Sequence, residues 1–251
     1  WPINNWCGAR FESLFSTSIP VNQNTLISYK EREDSYCLAL HENQCHFNEQ
    51  NINYHTNLNN FDDYHNLLSS GKPIFYYHNL IPQIASIADI KMALNNISVN
   101  NEVFTAAKNF CIQHEIDESV LGLHIRKTDF GNTVNDEELY EIVKKSPKKF
   151  FVCSDDQEVN LKFSHLPNCS VFSKKNFPSK MKTGKGWNEN TIDDQGREFF
   201  FNIERSEASI VEALVDLLIL SKTTHLNTSH STFLRMSMIF KATNHIDFDK
   251  G

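Results

Sequence analysis

The chain has 251 residues, enough for one large domain or two modest ones with a hydrophobic core of ordinary size. Its 40% hydrophobic and 22% charged content is typical of a globular protein and excludes a disordered or collagen-like one. The formal net charge of −7 argues against general nucleic-acid binding, which needs a basic surface, but it permits a basic pocket for one nucleotide.

The first 80 or so residues show weak periodicity and abundant Asn, and only two elements are predicted there: a short helix in GARFESLF and a strand in PIFYYHNL. A helix follows in NEVFTAAKNFCIQHE, where apolar side chains recur at three- and four-residue spacing. The sequence begins at Trp1 with neither an initiator Met nor a signal peptide, so we expect an N-terminal piece to be missing.

Strands and helices alternate from about residue 118 onward. The runs SVLGLHI, KFFVCSD, CSVFS and THLNTS are predicted strands. The segments DEELYEIVKK, QEVNLKF, EASIVEALVDLLILSK and STFLRMSMIF are predicted helices. Such alternation indicates a parallel sheet wound by right-handed crossovers, with helices on both faces. We therefore predict an α/β protein with an N-terminal part at residues 1–117 and a nucleotide-binding domain at residues 118–251.

The loop from Ser173 to Arg197 holds five lysines and the segment TGKGWNEN. A loop of this length inside a compact domain is usually functional or disordered. A lid over a ligand and a solvated loop are equally compatible with the sequence.

No run approaches the roughly 18 consecutive apolar residues of a membrane span. The six cysteines are scattered, unlike those of a small disulfide-rich secreted scaffold. Three glycosylation sequons occur, at Asn96, Asn168 and Asn227, but such sequons arise often by chance in an Asn-rich chain. We expect reduced thiols and a cytoplasmic protein, and peripheral membrane association stays open.

Polar side chains cluster where three of the predicted strands end. The clusters are His124, Arg126, Lys127, Thr128 and Asp129 after the first strand; Ser154, Asp155 and Asp156 after the second; and Thr228, Ser229, His230, Ser231 and Thr232 after the last. Because the carboxyl ends of parallel strands share one edge, we expect the clusters to converge where open α/β sheets bind ligands. The alternative is that each strand simply ends and its polar residues are solvated.

The last cluster could hold a diphosphate, because backbone amides and hydroxyls at a helix N-terminus form an anion site. Ser229 or Ser231 could equally be an ordinary N-cap that stabilises the helix by about 1 kcal/mol. Arg126 favours the diphosphate, since a planar guanidinium binds phosphate through two hydrogen bonds and offsets the charge of a departing diphosphate.

The pair Asp155 and Asp156 suggests a metal site, but adjacent side chains on an extended strand point to opposite sides. Hydrogen bonding to a base, to a ribose or to amides of the next helix is favoured, and a plain N-cap is the alternative. A second metal candidate is the group Cys37, His41, Cys45 and His46, whose spacing matches no closed structural zinc site. No bound metal is predicted. The sequence also has no G-x-S-x-G, G-x-x-x-x-G-K or H-E-x-x-H motif.

These motifs resemble those of the nucleotide-sugar fucosyltransferases, a family that includes the core α1,6, the nodulation and, more distantly, the α1,2- and protein O-fucosyltransferases. GLHIRKTDF resembles their H-x-R-x-x-D strand end, and FFVCSDD resembles their strand that ends in an Asp pair. EALVDLLILSKTTHLNTSHSTFLR is similar to their last motif. The resemblance covers about residues 118–240 and implies a GT-B type fold of two Rossmann-like halves. Residues 1–117 would form the acceptor side and residues 118–251 the donor side.

The resemblance also implies roles for individual residues. Arg126 would bind the β-phosphate of GDP-fucose and stabilise the leaving diphosphate, and Asp216 would reach the guanine. For the base that takes the acceptor proton, the candidates are Asp129 and Glu12. The remaining residues expected around the donor are His124, Asp155, Asp156, Ser229, His230, Ser231, Thr232 and Arg235.

The activity implied is an inverting transfer of fucose from GDP-fucose to a glycan hydroxyl, with no cofactor and no obligatory metal. Two departures from the family pattern stand out: a G-G-x-G-N loop is missing, and Lys127 stands where some members have a second Arg. A glycan at Asn227 would sit inside the implied phosphate site, which favours the cytoplasm. The alternatives are a transferase that uses another nucleotide sugar, and a non-catalytic module that binds a nucleotide or a glycan.

Overall fold

The computed structural model describes residues 9–17, 36–39, 53–54, 74–77, 87–127, 135–180, 191–192, 198–199, 203–226, 232–243, 246 and 248. The chain forms two compact units, one of Trp1 with Ile19–Ile90 and one of Pro2–Ser18 with Lys91–Gly251. Residues 91–117 thus belong to the second unit. The assignment of an acceptor half before residue 118 and a donor half after it stays a prediction.

The elements are numbered in chain order. The described helices are α1 (Phe11–Leu14), α2 (Ile87–Leu94), α3 (Asn101–His114), α4 (Asp136–Lys145), α5 (Gln157–Ser164), α6 (Glu207–Leu220) and α7 (Thr232–Thr243). The described strands are β1 (Phe15–Thr17), β2 (Tyr36–Ala39), β3 (Asn53–Tyr54), β4 (Ile74–Tyr77), β5 (Ile97–Val99), β6 (Leu121–Ile125), β7 (Phe150–Ser154), β8 (Cys169–Ser170), β9 (Ser179–Lys180), β10 (Thr191–Ile192), β11 (Glu198–Phe199), β12 (Ile203–Glu204) and β13 (Thr224–His225). Among the described parts of the chain, no helix is long and apolar enough to cross a membrane.

The first unit contains a parallel sheet of three strands in the order β3-β2-β4. Tyr36 on the central strand pairs with Asn53 on one side and with Ile74 on the other. The strand predicted in PIFYYHNL is confirmed as β4.

The second unit is built on a parallel sheet of four strands in the order β13-β6-β7-β8. This confirms the α/β class and the parallel sheet predicted from the alternating pattern. Three strands follow one another in chain order across the sheet, and the fourth, β13, returns to the opposite side of β6. The strand order therefore reverses between β6 and β13. The outer strands β8 and β13 have only two residues each, shorter than predicted, because an edge strand is held by a partner on one side alone.

Alternation along the strands divides the core between the two faces of this sheet. On β7, Phe151 and Cys153 belong to a core that includes buried side chains of α3, α6 and α7. The intervening Phe150 and Val152 belong to a second core with side chains of α4 and α5. Helices therefore cover both faces, as predicted, and the strands between them read as continuous apolar runs.

Side-chain caps fix where the helices begin. Asn100 accepts a hydrogen bond from the amide of Glu102 at the start of α3, and Ser206 accepts one from the amide of Ser209 at the start of α6. At the other end of α3, Glu115 adopts the left-handed conformation with φ 53° and closes the helix. Each cap satisfies backbone groups that a helix end leaves without internal partners.

Gly122 on β6 lies against the C-terminal end of α6. A Cβ atom there would overlap the hydroxyl of Thr223 and stand 2.7 Å from a methyl group of Leu220. The glycine is needed because the chain after α6 crosses directly over the strand.

Candidate functional site

A pocket of about 360 Å³ opens at the carboxyl edge of the four-stranded sheet. It is lined by residues that end β6 and β7 and by the first turn of α7, so it lies where the strand order reverses. Open α/β sheets bind their ligands at this position, and the volume is within the usual range of small-molecule sites. Among the described residues, its charged lining comprises three cations and two anions, namely Arg126, Lys174, Arg205, Asp155 and Asp216.

A second pocket, of about 460 Å³, lies at the amino edge of the same sheet. Its walls include the C-terminal ends of α3, α6 and α7, whose helix dipoles disfavour anions. Two of its lysines are held by backbone carbonyls at short distance, Lys222 by Ile246 at 3.0 Å and Lys241 by Thr223 at 2.8 Å. The pocket at the carboxyl edge is therefore the better candidate for an anionic ligand.

The end of β6 brings His124 and Arg126 to the pocket. The His124 ring is buried and stacks on Phe233 of α7, with ring centroids 4.6 Å apart and an angle of 24° between the planes. Burial, together with the positive charges of Arg126 and Lys174, lowers the pKa of His124 to about 3. The imidazole is therefore neutral near pH 7, which suits hydrogen bonding to a ligand rather than proton transfer.

This lowered pKa makes folding stability depend on pH. Because the pKa of His124 in the folded state lies below the unfolded value of 6.5, the free energy of unfolding has its full value above pH 6.5. It falls as pH drops toward 3, since the unfolded chain takes up a proton that the folded chain does not. At pH 5 the loss amounts to about 2 kcal/mol. His124→Phe keeps the ring stack on Phe233 but cannot take up a proton. We expect its unfolding free energy, measured with urea, to fall by about 2 kcal/mol less than that of the wild type between pH 7.5 and pH 5.

His165→Gln provides the matched control, because this histidine is exposed. We expect its unfolding free energy to follow the wild-type pH dependence. If the unfolding free energies of His124→Phe and the wild type depended equally on pH, the assignment of a buried neutral ring at His124 would be contradicted.

The end of β7 separates the two adjacent aspartates. Asp155 lines the pocket, and its Oδ1 accepts a hydrogen bond of 2.7 Å from the backbone amide of Lys127, which joins the ends of β6 and β7. Asp156 instead caps α5 by accepting from the amide of Val159 at 3.0 Å. The two carboxylates therefore serve different partners, as alternation along a strand predicts. For Asp156 the geometry is that of the N-cap alternative.

Lys174 and Asp216 form a buried ion pair in the wall of the pocket. Nζ of Lys174 lies 2.6 Å from Oδ2 of Asp216, and the two side chains are 5% and 3% exposed. Burial raises the pKa of Asp216 to about 6, and the ammonium group of Lys174 opposes that rise. Among the residues that the structure describes, Oδ1 of Asp216 has no hydrogen-bond partner.

One face of α6 forms a side of the pocket, through Ser209, Ile210, Ala213 and Asp216 at three- and four-residue spacing. On the neighbouring face, Glu212 accepts hydrogen bonds from the backbone amide of Asn176 at 2.8 Å and from its side chain at 3.1 Å. This carboxylate fixes the start of the loop after β8 against the helix.

The structure brings together four of the residues expected at the donor, His124, Arg126, Asp155 and Asp216. Arg235 is exposed on α7 and does not line the pocket, and Glu12 is exposed on α1. Lys127 pairs with Asp136 at 2.5 Å. Asp129, Ser229, His230 and Ser231 lie outside the described residues, as do His41, Cys45 and His46 of the zinc candidate; of Thr232, only its place at the start of α7 is described.

Sequence reasoning missed Lys174 and Arg205. Lys174 follows a predicted strand, as the three clusters do, but it is one of five lysines in the loop from Ser173 to Arg197, which the sequence predicts to be a lid or a solvated loop. The prediction of a solvated loop is wrong at Lys174, because this side chain is only 5% exposed. Arg205 directly precedes Ser206, the N-cap of α6, and no pattern in the sequence marks it.

No protein-family model matches this chain, and no curated protein matches it. Solved structures that resemble it include the NodZ α-1,6-fucosyltransferase co-crystallised with GDP, at 17% sequence identity and a TM-score of 0.44 over 70% of this chain and 56% of that one. The fucosyltransferase NodZ from Bradyrhizobium has 18% identity and a TM-score of 0.42 over 67% of this chain and 52% of that one. This chain therefore spans about half the length of either structure. Likeness at this level assigns it no function.

Proposed function

We propose that this protein is a glycosyltransferase that moves fucose from GDP-fucose to a glycan hydroxyl. The observation that carries the proposal is the meeting of Arg126, Asp155 and Asp216 in one pocket at the strand-order reversal. The motif resemblance of residues 118–240 to nucleotide-sugar fucosyltransferases supports the choice of donor. A cytoplasmic location remains part of the proposal.

The cationic side chains suit a diphosphate. Arg126, at the end of β6, and Arg205, just before α6, both line the pocket, and guanidinium groups bind phosphate oxygens through paired hydrogen bonds. We propose that Arg126 contacts the β-phosphate. Ser231 and Thr232 would supply hydroxyls to the same oxygens, with Ser229 and His230 beside them.

The acidic and aromatic groups suit a guanine nucleoside. Oδ1 of Asp216 is a buried acceptor with no hydrogen-bond partner among the described residues, and guanine offers two neighbouring N–H donors on its Watson–Crick edge. His124 presents a neutral polar ring beside Phe233. Asp155 would hydrogen-bond to the ribose.

In the proposed reaction the acceptor oxygen attacks C1 of fucose as the bond from C1 to the β-phosphate oxygen breaks, which inverts the anomeric centre. The bonding electrons move to the departing phosphate oxygen, where the charge of Arg126 stabilises them. Asp129 is the proposed base for the acceptor proton. Because guanidinium groups can offset the charge that develops on the diphosphate, we propose that a divalent metal is not required.

Calorimetric titration with GDP tests the donor assignment. We expect GDP to bind with the same affinity with and without EDTA, and about 10-fold or more tighter than ADP, because a hydrogen bond to a carboxylate contributes about 1.5–3 kcal/mol. An assay by mass spectrometry should then detect fucosyl transfer to a glycan acceptor from GDP-fucose and no transfer from GDP-mannose.

The outcomes separate the alternatives. Transfer from GDP-mannose would indicate another nucleotide sugar as donor. Tight GDP binding without release of GDP from GDP-fucose under any acceptor would indicate a binding module. Absence of GDP binding would contradict the proposal as a whole.

A further inference from the structure

The position of Lys174 is fixed from two sides. Its Nζ donates to the carbonyl of Ser154 at 2.5 Å and to Oδ2 of Asp216 at 2.6 Å, which joins the end of β7 to α6. The ammonium group also lies over the Phe177 ring, with Nζ 5.1 Å from the ring centroid. With a side chain only 5% exposed, Lys174 is part of the wall rather than a mobile surface charge.

This arrangement treats the two carboxylate oxygens of Asp216 differently. Oδ2 is occupied by Lys174, whereas Oδ1 has no hydrogen-bond partner among the described residues. An ionised carboxylate only accepts hydrogen bonds, whereas a protonated one can also donate. The charge state of Asp216 therefore decides whether the pocket prefers N–H donors at this point.

Several other groups face Asp216. From the strand ends come Arg126, Asp155 and the neutral ring of His124, and Arg205 lines the same pocket. The thiol of Cys153 on β7 is buried, which keeps its pKa well above the usual value and leaves it neutral. The negative charge of Glu212, on α6 itself, raises the pKa of Asp216 and therefore disfavours its ionised form. Lys174 favours that form by direct contact.

We infer that Lys174 is a positioning residue that holds Asp216 ionised in the wall of the pocket and leaves Oδ1 as its available acceptor, and thereby sets the preference of this site for a guanine base. The inference rests on the proposed function. Lys174 itself makes no contact with the nucleotide in this assignment.

The test compares Lys174→Met, which removes the charge and keeps the length, with Lys174→Arg and with Lys175→Met, a control that removes an exposed lysine from the neighbouring position. Ionisation of Asp216 is followed by carboxyl ¹³C NMR, with its signal assigned by loss in D216N. We expect a midpoint near pH 6 in the wild type, as its pKa of about 6 implies, and a rise of about 1–3 pH units in Lys174→Met.

Affinities for GDP, ADP and pyrophosphate at pH 7 complete the test. We expect Lys174→Met to weaken GDP binding in proportion to the lost ionised fraction, about 10-fold for a midpoint rise of about 2 pH units, and to regain affinity as pH rises. Binding of ADP and pyrophosphate should stay within about 2-fold of the wild type. Lys174→Arg should keep the preference for GDP. If Lys174→Met fails to fold, Lys174→Gln takes its place with the same expectations.

Three results would overturn the inference. An unchanged Asp216 midpoint in Lys174→Met would remove its basis. Equal weakening of pyrophosphate and GDP would make Lys174 a phosphate ligand. Absence of GDP binding by the wild type would overturn the proposed function together with this inference, whereas the first two results leave the proposed function standing.

Discussion

Replacing Arg126 with alanine is expected to reduce fucosyl transfer from GDP-fucose by about 10²–10³-fold, since a single charge-stabilising donor in an active site contributes about 2.7–4 kcal/mol to the transition state. The side chain lines the pocket from the end of β6, where negative charge would develop on the departing diphosphate. Initial rates at saturating donor, with the unfolding midpoint measured in parallel, separate a loss of catalysis from a loss of fold.

Lys127→Ala is the matched control, because it removes a neighbouring positive charge that is paired with Asp136 and lies outside the pocket lining. We expect this variant to keep wild-type transfer rates. Arg126→Lys should recover only part of the activity, because an ammonium group keeps the charge but loses the two-pronged geometry. Transfer by Arg126→Ala at the wild-type rate would disprove the role assigned to this guanidinium.

Asp216→Ala is expected to destabilise the fold by about 3–5 kcal/mol, the range found when one partner of a buried ion pair is removed. The reason is that the ammonium group of Lys174, with a side chain 5% exposed, would keep its charge in the interior without its carboxylate. The double variant Lys174→Met with Asp216→Leu should recover most of this loss, since apolar residues of similar volume can replace a buried pair at little cost. Urea unfolding of the wild type and of these two variants measures both effects.

An exposed pair offers a comparison at equal distance. Lys149 and Glu115 also approach within 2.6 Å, but their side chains are 61% and 79% exposed. Solvent screens such a pair, so Glu115→Ala should leave stability unchanged within error. Similar effects at Glu115 and Asp216 would show that burial does not determine the strength of the pair at α6.

The sheet and helices of the second unit could be predicted because their signals are local. Strand runs such as SVLGLHI are mostly apolar, since both faces of a parallel sheet are covered, and α4 has acidic residues in its first turn and lysines in its last. The extents of β8 and β13 could not be predicted in this way. Each of these edge strands pairs with only the first two residues of its longer partner, and that extent depends on pairing between distant segments.

From local sequence patterns the site was predictable where it follows strand ends, and the motif resemblance added Asp216 on α6. The clusters after the first two predicted strands contributed His124, Arg126 and Asp155 to the pocket, because parallel strands deliver their carboxyl ends to one edge. Arg205 reaches the pocket through the packing of α6 on the sheet, which no local pattern encodes. The burial of Lys174 likewise depends on a partner 42 residues away in the chain.

The absence of a side chain at Gly122 also has a consequence for Asp216, which lies one turn earlier in α6 than Leu220. Leu220, which would stand 2.7 Å from a Cβ at residue 122, is one helical turn beyond Asp216 on the same face of the helix. Because residue 122 has no side chain, the C-terminal end of α6 can pack close to β6, and this packing distance helps to fix the position of the helix over the sheet. Under the proposed function, Gly122 would thereby help to set the depth at which Asp216 meets the base, although residue 122 itself would not contact the nucleotide.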